Sequence, residues 1–146
     1  MKTKLIRKIL LSLGLVLMLA SAIIQVHGGS LASPQDQQLP VITIHSTGDV
    51  IRGKTGSFVL SMNPLLLGGT YVNFSVSGTA IPGVDYVPLV SPAYMGQSGY
   101  GVISVATLPD PRGSFNRQAY SVVVTLEPGA GYAVGAPASA QMWIRP

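Results

Sequence analysis

Gly56-Ser57-Phe58-Val59-Leu60-Ser61-Met62 places Phe58, Leu60 and Met62 on one side of an extended chain and Ser57 and Ser61 on the other. A period of two is what a strand with one buried face requires, because successive side chains point to opposite sides of a sheet. The same alternation recurs outward along the chain. Tyr71 to Ser77 sets Val72, Phe74 and Val76 against Asn73, Ser75 and Ser77. Tyr120 to Leu126 aligns Val122, Val124 and Leu126, and Ala138 to Ile144 aligns Ala140, Met142 and Ile144. Val41 to His45, Tyr86 to Leu89 and Gly101 to Thr107 are less regular candidates. Between these runs stand Gly68-Gly69, Pro82-Gly83, Pro109-Asp110-Pro111 and Pro128-Gly129, all strong turn formers. About seven short strands with no helical period predict an all-β fold, an immunoglobulin-like antiparallel β-sandwich.

The chain of 146 residues contains 17 glycines and 11 prolines, but these fall between apolar runs and read as turns. It opens with Lys2, Lys4, Arg7 and Lys8, continues without charge from Ile9 to Gln25, and carries Ala20-Ser21-Ala22 near the end of that run. A basic start, an apolar middle and a small-residue site are the layout of a secretory signal peptide, expected over residues 1–22. The uncharged run is slightly short for a bilayer span, which favours cleavage over a retained anchor. If the segment is retained, it is the expected route to a membrane. Residues 23–40, rich in Gly, Ser, Gln and Pro, read as a linker, and 41–146 as one domain. The expected location is exported: periplasmic, secreted or at the cell surface.

Beyond residue 22 the basic side chains are Arg52, Lys54, Arg112, Arg117 and Arg145, and the acidic ones Asp36, Asp49, Asp85, Asp110 and Glu127. The two sets balance, so the high overall pI belongs to the export segment. Phosphate neutralisation needs clustered Lys and Arg, and these five are scattered, so nucleic acid is not an expected partner. With no cysteine, thiolate metal sites, disulfides and Cys nucleophiles are impossible.

Gly48-Asp49-Val50-Ile51-Arg52-Gly53-Lys54-Thr55 matches the phosphate-loop spacing. Such a loop works by opening a helix whose amides cradle phosphates, whereas here Thr55 runs into the alternating segment, so no nucleotide is expected. His45-Ser46 and Asp49 lie within five residues, but a triad is defined by convergence in space, and a polar turn is the simpler expectation. Asn73-Phe74-Ser75 is a glycosylation sequon, meaningful only in a pathway that glycosylates. The acids and histidines are too few and too separated for general acid–base work, and no enzyme is expected.

The run Val76-Ser77-Gly78-Thr79-Ala80-Ile81-Pro82-Gly83-Val84-Asp85-Tyr86 resembles the "GTA, then G-x-DY" signature of Calx-beta domains. Ile103-Ser104-Val105 with Asp110, then Tyr120 to Leu126, Gly131 to Gly135 and Ala138 to Ile144, follow in that family's order, so the resemblance spans Val41 to Arg145. It implies a sandwich whose acidic residues gather at one end and, in many members, hold calcium. Asp85 and Asp110 match family acidic positions. Arg52 stands where a Glu is usual, Ser114 to Gln118 lacks the usual Glu residues, and Arg145-Pro146 replaces a run of aspartates. Calcium needs six to eight oxygens. Two carboxylates facing Arg52 and Arg145 form a poor site, so no cofactor is expected, with a calcium-binding adhesion or signalling domain as the alternative. Asp85 is then expected to accept backbone N–H bonds in its turn, and Asp85→Asn to cost little. On the last strand Trp143 falls outward, and with the outward Val123 it marks an expected contact spot for a protein partner or for self-association at a sheet face.

Overall fold

The alternating segments form ten strands in the computed structural model, which describes residues 38–146. They are β1 (Val41–Ser46), β2 (Val50–Ile51), β3 (Thr55–Asn63), β4 (Thr70–Val72), β5 (Phe74–Ser77), β6 (Ala93–Met95), β7 (Tyr100–Ala106), β8 (Tyr120–Leu126), β9 (Ala133–Val134) and β10 (Ser139–Arg145). Among the described residues there is no helix. The expected export segment, and the linker as far as residue 37, lie outside the described residues.

One sheet has the order β7-β3-β1-β9 and the other β2-β10-β8-β5, while β4 and β6 form a separate pair. The long ladders are antiparallel, with Ile44 opposite Leu60, Phe58 opposite Ile103, and Met142 opposite Val122. Two short strands pair in parallel, β9 along β1 and β2 along β10. Ile42, Ile44, Phe58, Leu60, Met62, Ile103 and Val105 face inward from the first sheet. They meet Phe74, Val122, Val124, Leu126, Met142 and Ile144 from the second, in one continuous core. Each such side chain contributes about 1.5–3 kcal/mol on burial, and with no disulfide this packing holds the domain together. The sheets approach closely at Gly56, where a Cβ would stand 2.5 Å from Met142 Sδ and 3.1 Å from Val50 Cβ.

Two expected strands differ. Tyr71 to Ser77 is not one strand: it breaks at Asn73, and its halves pair in different sheets, β4 with β6 and β5 with β8. At the break the Asn73 amide donates to the Tyr132 hydroxyl at 3.0 Å, and its carbonyl accepts from the Glu127 amide at 2.9 Å. The backbone is thus satisfied without a ladder, and the chain can change sheets. Tyr86 to Leu89 forms no strand, only isolated bridges from Tyr86 to Pro82 and Thr107. Pro88 has no amide to donate.

The ladders define two ends. β1 finishes, β3 starts, β7 finishes and β8 starts at one end, where the connections carry Asp49, Arg52, Lys54, Asp85, Asp110, Arg112 and Arg117, with Arg145 closing β10. The opposite end holds the chain entry at Gln38 to Pro40 and the β3–β4 connection, Pro64 to Gly69.

Candidate functional site

The turn after β5 places Asp85. Gly78 comes so close to the Ser121 carbonyl that a Cβ would collide with it, and its φ of 119° suits glycine. The next residues dock along β8: the Thr79 amide donates to Ser121 Oγ at 3.1 Å, the Ser121 amide donates to Thr79 Oγ1 at 2.8 Å, and the Ala80 amide donates to the Ser121 carbonyl at 2.9 Å. From that anchored start the chain turns back. The Asp85 amide donates to the Ile81 carbonyl and the Ile81 amide to Asp85 Oδ2, both at 2.8 Å, while the Leu108 amide donates to the Asp85 carbonyl at 2.9 Å. The expectation that Asp85 accepts a backbone N–H is met by Ile81.

What surrounds the rest of the carboxylate is a pair of guanidiniums. Asp85 is 0% exposed. Arg52 Nη2 and Arg112 Nη1 each lie 2.6 Å from Oδ1, and Arg112 Nη2 lies 3.0 Å from Oδ2. Arg52 is carried on the turn that leaves β2, where its amide donates to the Arg145 carbonyl at 2.9 Å, and its Nη1 donates to the Leu108 carbonyl at 3.2 Å. Asp110 completes the cluster: Oδ1 accepts from Arg112 Nη1 at 3.2 Å and from the Arg112 amide at 3.0 Å, and Oδ2 accepts from Asn116 Nδ2 at 2.7 Å. Arg52 Nε, which has no hydrogen-bond partner, stands 3.5 Å from Asp110 Oδ2. The Tyr120 ring lies under both cations, 4.3 Å from Arg112 Cζ and 5.5 Å from that of Arg52, an arrangement that favours cation over ring face.

Two carboxylates and two guanidiniums sum to zero charge, and their environments fix which forms are ionised. Burial opposes ionisation of Asp85, but the Arg112 and Arg52 guanidiniums and the Ile81 amide outweigh it and hold the carboxyl far below the usual carboxylate range. Hydrogen bonding to Asp85 raises Arg112 in turn. Asp110 is lowered, first by the Arg112 amide. Burial, and then the Asp85 charge, push the Tyr86 phenol up.

The structure brings Asp85 and Asp110 together, as the resemblance implies, and puts Arg52 between them. Arg145 lies at the same end, as expected, but faces a different carboxylate: its Nε donates to Asp49 Oδ2 at 2.8 Å, beside the Trp143 amide, which donates to Asp49 Oδ1 at 3.2 Å. This bond lowers the Asp49 carboxyl, with Arg145 the largest cause. The second cation on Asp85 is Arg112, which sequence reasoning passed over because it lies 27 residues away in a Pro- and Gly-rich connection. The doublet Pro111-Arg112 directly after Asp110 is the signal that could have found it. An amide cannot neutralise the buried Arg52 and half-buried Arg112 guanidiniums, so Asp85→Asn is expected to cost more than the turn alone suggests.

Ser46 Oγ donates to the Gly48 carbonyl at 3.3 Å, and Asp49 is engaged by Arg145 and Trp143, so the His45-Ser46 and Asp49 set does not converge. Gly48 to Thr55 spans the short β2 and leads into a strand, not a helix. Trp143 is 39% exposed on the outer face of β10, opposite Ser121, and Val123 stands half-buried diagonally across the ladder, opposite Gln141. At the other end of the first sheet, a cleft of about 750 Å³ is lined by Val41, Thr43, Ser61, Leu65 and Tyr100 among others, none of them charged.

No protein-family model matches the chain, and no curated protein does, so function has to be argued from residues and their geometry.

Proposed function

We propose that this chain is an exported, non-catalytic β-sandwich module with a structural or protein-interaction role, resembling a Calx-beta domain whose calcium end has become an internal ion-pair cluster. The observation that carries this reading is the saturation of Asp85, whose two oxygens receive four donors from Arg52, Arg112 and Ile81. A calcium ion needs six to eight oxygens and gains most from free carboxylates. Here it would have to displace two guanidiniums that approach within 2.6 Å and would otherwise repel it. The cluster does different work: it ties the connections before β3, after β5 and after β7 to one another. The remaining surface is then available for recognition, and the outward Trp143 with Val123 is the proposed contact for a protein partner or a second copy.

The test is a thermal melt of the purified domain in millimolar calcium and in chelator. Equal transitions are expected. A rise in Tm at micromolar calcium that disappears in Asp85→Ala would overturn the reading and make the chain a calcium-responsive adhesion or signalling domain.

A further inference from the structure

Charge is strongly segregated in this domain. Of the charged side chains among the described residues, only Glu127 lies outside the Asp85 end: it is exposed just past β8, at the opposite end, where its amide donates to the Asn73 carbonyl at 2.9 Å. The opposite end presents Pro64-Leu65-Leu66-Leu67-Gly68-Gly69 between β3 and β4. Leu66 packs against the core and its carbonyl accepts from the Gly69 amide at 3.4 Å, so the loop is anchored from within. Its neighbours face out: Leu65 is 61% exposed and Leu67 fully so. Aromatic residues flank the loop on both sides. Leu65 lies over Gly99 beside the exposed Tyr100. The Tyr94 hydroxyl lies where a Cβ on Gly69 would stand, and the exposed Tyr94 and Tyr71 rings meet at a 54° tilt with centroids 5.2 Å apart. Leu39 and Val41, where the chain enters, extend the same apolar surface.

We propose that this end of the sandwich is a lipid-bilayer contact, with Leu65 and Leu67 inserted among the acyl chains and Tyr71, Tyr94 and Tyr100 at headgroup depth. Leucines at the tip with tyrosines behind them match the polarity gradient of an interface, where an aromatic ring is buried and its hydroxyl stays hydrated. The lack of Lys and Arg around the loop fits an attraction that is apolar and not electrostatic. The charged end has exposed apolar residues too, but Phe115 there is flanked by Arg112 and Arg117, which would be costly to bring into hydrocarbon. Chain direction supports the same orientation. The uncharged stretch Ile9 to Gln25 is separated from Gln38 by 12 residues, at most about 40 Å of extended chain. Gln38 enters the domain at the leucine end, so a bilayer holding that stretch would be tethered to that end and not to the charged one.

The test uses residues 38–146, which contain the whole core. The protein is floated with phosphatidylcholine vesicles, and with vesicles containing one third phosphatidylserine, in low and in high salt. Expected are co-flotation with both compositions, insensitivity to salt, and a loss of about a hundredfold in partitioning for Leu65→Ser/Leu67→Ser, roughly tenfold per leucine. A second arm places Leu67→Trp in a Trp143→Phe background, where the emission should shift to the blue with vesicles. The proposal is overturned by no flotation together with an unshifted Leu67→Trp spectrum. It is equally overturned by flotation that survives the double substitution, by binding confined to anionic vesicles and abolished by salt, or by a dimer that the double substitution dissociates while vesicles are ignored.

Discussion

Arg112 holds Asp85 through both carboxylate oxygens, Nη1 at 2.6 Å from Oδ1 and Nη2 at 3.0 Å from Oδ2, across 27 residues of sequence. A two-point contact of this kind is directional as well as strong, and it fastens the connection before β8 to the turn after β5. Because Asp85 is fully buried and Arg52 shares Oδ1, the cluster behaves as a unit, and removing one member leaves the others unpaired.

Asp85→Asn is expected to lower unfolding stability by about 3–5 kcal/mol, the cost of leaving a buried charge without its partner. Arg52→Met should cost more than Arg112→Met, because the Arg52 side chain is 9% exposed and that of Arg112 is 29% exposed. Urea denaturation of the three variants checks both statements. A loss under 1 kcal/mol for Asp85→Asn would show the cluster to be energetically idle.

The pH dependence has a definite sign. Asp85 is held far below the ordinary carboxylate value in the folded state, so the unfolded chain takes up its proton first as pH falls. Its contribution is fully present above the unfolded value of about 3.9 and is lost as pH drops toward the folded one. Wild-type stability should therefore fall steeply below pH 4. In Asp85→Asn that acid-side slope should be visibly shallower. Equal slopes in the two proteins would remove Asp85 from the account.

Gly56 is expected to resist any side chain. A Cβ there would press on Met142 Sδ at 2.5 Å and Val50 Cβ at 3.1 Å, so Gly56→Ala should cost about 1–3 kcal/mol as overpacking. In a Met142→Ala background the same substitution should cost clearly less, since the space is then open. A double-mutant cycle without coupling would mean that the sheets are not held this closely.

Thr79 and Ser121 exchange hydrogen bonds in both directions, at 3.1 and 2.8 Å. Thr79→Val keeps the shape but strands the Ser121 amide, an expected loss of about 1–3 kcal/mol. Thr79→Ser restores the acceptor and should recover most of it. Chemical denaturation of the pair decides this, and an equally large loss in Thr79→Ser would point to the methyl group instead of the hydroxyl.

The all-β class and the inward faces of β3, β8 and β10 were legible from residue order, while the gathering of Asp85 and Asp110 at one end was implied only by the resemblance to Calx-beta domains. Alternation with period two states directly which side chains are buried, as Phe58, Leu60 and Met62 or Val122, Val124 and Leu126 show. Local patterning holds no information on what lies across a loop. That the run from Tyr71 to Ser77 divides between sheets depends on Tyr132 and Glu127 reaching Asn73. The two-residue strands β2 and β9 exist only because β10 and β1 offer free edges. Pairing of charges is likewise a matter of approach in space. All five basic side chains beyond residue 22 are plain in the sequence, yet packing alone put Arg112 on Asp85 and Arg145 on Asp49, because a guanidinium goes to the carboxylate that the folded backbone brings within its reach.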